Sequence, residues 1–125
     1  MSFQYPISSA QLLDQAESEQ LYHNLIVQLN KDFTLANEPV DFELDIAPQQ
    51  LKAQLHDKIY RLIQYKFAEY LNLLYIVDVP EEQIKQLDGT DLVVLAEEVS
   101  FILLKREWQK VWYRAKYSGW LDCLK

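Results

Sequence analysis

Scarcity is the first thing this chain shows. A single cysteine, Cys123, excludes an internal disulfide and a cysteine-based metal site, and it points to a reducing cytoplasm. Two glycines, Gly89 and Gly119, stand far apart and leave no glycine-rich loop to cradle a phosphate. With only 4 prolines besides, the chain lacks the punctuation of a β-sandwich and the composition of a disordered segment. Basic residues are outnumbered, 12 against 19 acidic ones, and a net charge of −7 repels a phosphate backbone and disfavours nucleic acid as a partner. Long hydrophobic runs are missing too. The densest apolar stretch, Leu92 to Leu104, is interrupted by Glu97 and Glu98 and is shorter than the roughly 20 residues a membrane helix needs. Met1 to Ser9 hold neither a basic cluster nor an apolar run, which predicts no secretory or transit signal.

What is present is apolar side chains at helical intervals: 50% of the 125 residues are hydrophobic and 13% aromatic. The expected fold is all-α, a single domain over residues 1–125 built as a bundle of about four helices, with a short β-hairpin or extended strand around residues 33–46.

Ser8-Ser9-Ala10-Gln11 has the form of a capping box and starts a first helix that reaches about Asn30, with a bend or break near Glu17 to Gln20 where the apolar face changes. Val40 to Ile46 alternates apolar and acidic residues, the period of a half-buried strand; Phe33 and Leu35 also alternate, with Asn37-Glu38-Pro39 as the turn of a hairpin. Pro48 opens a second helix, to about Ile76, whose stripe runs Leu51, Leu55, Ile59, Leu62, Ile63, Phe67, Tyr70, Leu73 and Leu74. A short third helix spans Pro80 to about Asp88, with Gly89 supplying a left-handed end; Thr90 caps a fourth from Asp91 to about Tyr117, ended by Ser118-Gly119.

The fourth helix reverses its apolar face midway. Leu92, Leu95, Ala96, Val99, Ile102 and Leu103 lie on one side; Phe101, Leu104, Trp108, Val111, Trp112 and Ala115 lie nearly opposite. Such a helix calls for a sandwiched central position, a second molecule, or a kink near Ser100.

Leu73-Leu74-Tyr75-Ile76-Val77-Asp78-Val79-Pro80-Glu81, followed by the Lys/Arg- and Trp-rich last helix, resembles a group of small uncharacterised bacterial helical proteins of similar length. The resemblance covers the C-terminal half. It implies one helical domain and attaches no activity.

Three constellations are candidates for function. Arg106, Lys110 and Arg114 align at i, i+4 and i+8 as a basic face suited to an acidic partner or, third in order, to nucleic acid; they also complement a helix C-terminus. Trp108, Trp112 and Ala115, with the strand residues Val40, Phe42 and Leu44, form a candidate interface, most simply of a homodimer or with another protein. Lys66 sits within the apolar stripe of the second helix, with Glu69 its nearest carboxylate in sequence, and Tyr60, Tyr70 and Tyr75 could line a small-molecule pocket beside it. Neither His23 nor His56 has Glu at i−3, so the carboxylate-bridged di-iron pattern is missing. Pro80 to Leu104 has the outline of a helix-turn-helix, but its second helix is apolar and acidic, the wrong surface for a major groove. The sequence carries no catalytic or cofactor motif; a non-enzymatic interaction domain is the expected function.

Overall fold

The computed structural model describes residues 2–123, with side chains over residues 2–118. It is 73% helical. Six helices follow one another among the described residues: α1 (Ser9–Ser18), α2 (Tyr22–Leu35), α3 (Pro48–Tyr65), α4 (Phe67–Val77), α5 (Glu81–Lys85) and α6 (Leu92–Cys123). The all-α bundle expected from the periodicity is therefore the fold, with no strand among the described residues. None of these helices is long and apolar enough to cross a membrane.

The first break falls within the predicted stretch. Gln20 adopts a left-handed φ of 60°, the Leu21 N–H donates to the Ala16 carbonyl and the Gln20 N–H to the Glu17 carbonyl, which is a Schellman end to α1. The same motif ends α2 at Asn37 (φ 61°) and α4 at Asp78 (φ 71°). With glycine so rare, non-glycine residues take these strained positions, and Gly89, expected to be left-handed, is not. Thr90 is not the cap of α6 either. Asp91 Oδ1 accepts from the Val93 and Val94 amides, while Thr90 is held by Asp88.

The predicted second helix is two helices. Lys66 leaves helical space (φ −138°, ψ 60°), so the continuous stripe turns there and Phe67, placed in the core by its spacing, is 55% exposed. The last helix runs past Tyr117 and the Ser118-Gly119 pair to Cys123, whose side chain lies outside the described residues.

The hairpin is not formed. Phe33 and Leu35 belong to α2, and residues 40–46 are irregular. An extended segment needs a partner for its amides. Here the side chain of Asn30 supplies it, accepting from the Phe42 N–H and donating to the Phe42 carbonyl, both at 2.9 Å. The Tyr22 hydroxyl donates to the Ile46 carbonyl. Phe42 and Ile46 are buried as the alternation requires, but Val40 is half-buried and Leu44 exposed.

α6, roughly 48 Å long at 1.5 Å per residue, is the axis of the bundle and packs against α1, α2, α3 and α4. That sandwiched position resolves its face reversal within one chain. Ala96, Val99 and Leu103 are buried toward its start, and Trp108, Val111 and Trp112 toward its end. The segment before α1 completes the cover: the Phe3 ring meets Trp112 edge-on at 5.5 Å and lies along Tyr113 at 5.8 Å.

Candidate functional site

The most unusual chemistry in the core is a charged cluster between α2 and α6. Glu107 is completely buried, and Lys110, one turn on, sets its Nζ 2.6 Å from Glu107 Oε1 and 2.6 Å from Asp32 Oδ2. Gln28 donates to both Asp32 oxygens from one turn earlier on α2. The Lys110 contact to Glu107 is close but poorly directed, so neither Glu107 oxygen accepts a well-formed hydrogen bond from it. Burial raises the Glu107 carboxyl to about 9, and the neighbouring Asp32 adds to the rise against the opposing pull of Lys110. Burial also works to raise Asp32, but the neighbouring Glu107 carboxyl and the hydrogen bonds from Lys110 and Gln28 outweigh it and hold that carboxyl below its ordinary value. At neutral pH the cluster is thus one carboxylate, one carboxylic acid and one ammonium. It ties α6 to α2.

A second clasp holds the α2–α3 connection. Glu38 follows the Schellman turn of α2, and its two oxygens take Lys58 Nζ at 3.1 Å and Lys66 Nζ at 2.7 Å. Lys66 is consequently half-exposed and paired with Glu38, not Glu69. The rest of the Lys66 neighbourhood separates: Tyr70 is buried and its hydroxyl pushed up to about 12 by desolvation, Tyr60 is half-buried, and Tyr75 is turned outward. The structure does not bring Lys66, Tyr60, Tyr70 and Tyr75 around one space.

The basic face is also divided. Arg106 donates to the Asp78 carbonyl and carboxylate, each at 3.0 Å, closing the C-terminal end of α4; Lys110 is drawn into the buried cluster; Arg114 alone of the three is exposed. Helical spacing puts them on one side, but that side borders the bundle, where carboxylates on α2 and after α4 meet it. Of the candidate interface, Trp108 and Trp112 are core residues, Ala115 is half-buried, and Lys116 lies over the Trp112 ring at 5.6 Å while pairing with Glu19 at 2.9 Å. Phe42 is buried and Leu44 exposed, so no continuous apolar strand face is offered.

Two other surfaces do stand open. On α4, Phe67, Leu71 and Tyr75 recur at i, i+4 and i+8 on the outward side, 55, 49 and 82% exposed, while Tyr70, Leu73, Leu74 and Val77 fill the core behind them. Nine of the eleven residues of this helix are apolar, so it has a hydrophobic surface all round; only Glu69 and Asn72 break it. That paucity of polar residues was readable in the sequence, but grouping α3 with α4 as one long helix assigned Phe67 to the core. The second surface is a cleft of about 900 Å³ between α3 and the first half of α6, bordered by the start of α1.

Comparison with family models, with curated proteins and with solved structures finds no match to this chain.

Proposed function

We propose that the domain is a non-enzymatic interaction module that associates with a second copy of itself through the outward face of α4. The observation that carries this is a helix apolar on every side with one aromatic–aliphatic–aromatic stripe left in water. Single exposed apolar residues are ordinary on a soluble surface, whereas three large ones aligned on one helix face form a patch.

The stripe is self-complementary. A two-fold axis near Leu71 running two α4 helices antiparallel brings Leu71 against its own copy and Phe67 against Tyr75 of the partner subunit, an isologous contact in which the same residues serve both sides. Three side chains bury well under the roughly 800 Å² per partner of a standard interface, which sets the association in the weak range, a dissociation constant on the order of 10–100 µM.

Sedimentation equilibrium between about 10 and 500 µM tests the reading against that range. The expected result is a monomer–dimer equilibrium that Leu71→Asp abolishes without altering the circular dichroism or Tm, because Leu71 is half in water already. A monomer throughout that range, or a dimer indifferent to Leu71→Asp, overturns it.

A further inference from the structure

We propose that the groove over Trp112, between α1 and α6, is a docking site for the segment before α1, residues 2–6, and that two copies of the chain exchange this segment, each filling the groove of the other. The inference is independent of self-association through α4.

The first support is how the segment is held. Residues 2–6 are neither helix nor strand, and among the described residues no backbone–backbone hydrogen bond ties them to a helix. The other irregular stretch, residues 40–46, is fastened through its backbone, by Asn30 at Phe42 and by Tyr22 at Ile46. On residues 2–6 the grip is made by side chains instead. Phe3 is 8% exposed among three rings, with Tyr5 and Trp112 edge-on at 4.8 and 5.5 Å and Tyr113 stacked at 5.8 Å. Pro6 is buried, and Gln109 reaches the Tyr5 hydroxyl at a long 3.5 Å. Phe3 and Pro6 are three residues apart, the repeat of the polyproline-type chains that lie on aromatic grooves. Such contacts do not depend on which chain supplies the segment, so a second copy reproduces every one of them.

The second support is the fit. A pocket of about 250 Å³ remains between Ser2 and Gln4 of the segment and Gln15, Trp108 and Trp112 of the helices. Packed interiors hold few voids of that size, so the segment lies on the groove as a separable piece. The third is the boundary. The Gln11 N–H donates to Ser8 Oγ at 3.1 Å and the Ile7 N–H to Gln11 Oε1 at 2.7 Å, so the cap of α1 is complete without residues 2–6. Ile7 is 84% exposed, which leaves the exchange point free to turn. Within one chain this short link holds the segment at an effective concentration on the order of 1 mM; the groove is therefore masked in dilute protein and exchanges as the concentration nears that value.

The test pairs two full-length variants, both carrying Leu71→Asp so that the α4 contact plays no part. Phe3→Ala empties the groove and leaves its walls intact; Tyr113→Ala removes the half-exposed wall on which Phe3 stacks and frees an unaltered segment. Mixed at about 500 µM each, they should form a heterodimer in sedimentation, with a dissociation constant of about 0.1–1 mM, that neither forms alone. A labelled peptide spanning Ser2 to Ser8 should bind the Phe3→Ala chain in the same range and the wild type at least roughly five-fold more weakly, because the chain's own segment competes; the peptide with Phe3→Ala should not bind. The wild type supplies a readout free of any substitution: an equal mixture of isotopically labelled and unlabelled chains at about 1 mM should show nuclear Overhauser contacts between the Phe3 and Trp112 rings of different chains. No heterodimer, peptide binding as tight to the wild type as to Phe3→Ala, binding of the peptide without its phenyl ring, or Phe3–Trp112 contacts confined to one chain would each overturn the assignment.

Discussion

Two glutamates, Glu38 and Glu107, are both buried, and they are treated in opposite ways. Glu38 has two ammonium groups to itself, Lys58 and Lys66, and their hydrogen bonds hold its carboxyl below the ordinary value in spite of the desolvation that works against it. Glu107 shares one ammonium with Asp32, and desolvation wins. Depth and the number of cations both differ: desolvation is the largest influence on the completely buried Glu107, which shares one ammonium where Glu38 has two. Where cations outnumber acids the carboxyl stays charged and acts as a clasp; where acids outnumber cations one of them keeps its proton.

The strongest way to break this comparison is to remove the shared cation. Lys110→Met leaves Asp32 and Glu107 together in the core with no counter-charge, and should cost about 3–5 kcal/mol at neutral pH. Urea unfolding measures it. The loss should shrink near pH 4 and below, where protonation of the acids removes the unpaired charge; a loss independent of pH would mean that packing of the lysine stem, not its charge, matters.

Next in size is Glu107→Gln. The folded pKa of about 9 lies above the ordinary 4.5, so between those values the folded state binds more protons than the unfolded one and the wild type loses stability as pH rises. A glutamine has no proton to lose and can still donate to Asp32. The variant should be more stable than wild type by about 1–3 kcal/mol at pH 8 and little different near pH 4. Equal stability at both pH values would show that Glu107 ionises in place at no cost.

Glu38→Gln should run the other way. A carboxyl depressed by its lysines contributes stability above its ordinary value of 4.5, and the contribution is lost as pH falls through the folded value. The variant should lose about 1–2 kcal/mol at pH 7, with the gap closing at low pH. Two glutamine substitutions of opposite sign and opposite pH slope would establish the comparison more firmly than either alone.

Much of the fold was legible because apolar spacing is a local signal: Leu51, Leu55, Ile59 and Leu62 are all buried as their spacing requires. The break at Gln20 was legible for the same reason, since the apolar face changes there. What could not be read depends on partners distant in sequence. Residues 40–46 alternate like a strand, but no neighbouring strand exists among the described residues to pair them, and Asn30 takes that place. Lys66 interrupts α3 and α4 while its amine meets Glu38, 28 positions earlier. Trp108 and Trp112 resembled an interface because nothing in their own helix reveals that the Phe3 segment lies across Trp112. The surroundings of the candidate sites were the least legible for that reason: a stripe of residues says which side chains share a face, and only the fold says whether that face is free.

The mildest perturbation is the most discriminating. Lys58→Met leaves Glu38 with Lys66 alone, one cation to one carboxylate, midway between the two situations compared. Lys58 is partly exposed, with a side chain 26% accessible, so water screens the pair and the loss at pH 7 should be small, about 0.5–1 kcal/mol. If the cation count governs ionisation, the Glu38 carboxyl should nevertheless titrate at a higher pH than in the wild type, measurable from its carboxyl carbon shift by NMR, because its burial is unchanged while half its counter-charge is gone. A midpoint that does not move would mean that Lys66 alone fixes Glu38, and that depth rather than the number of cations separates it from Glu107.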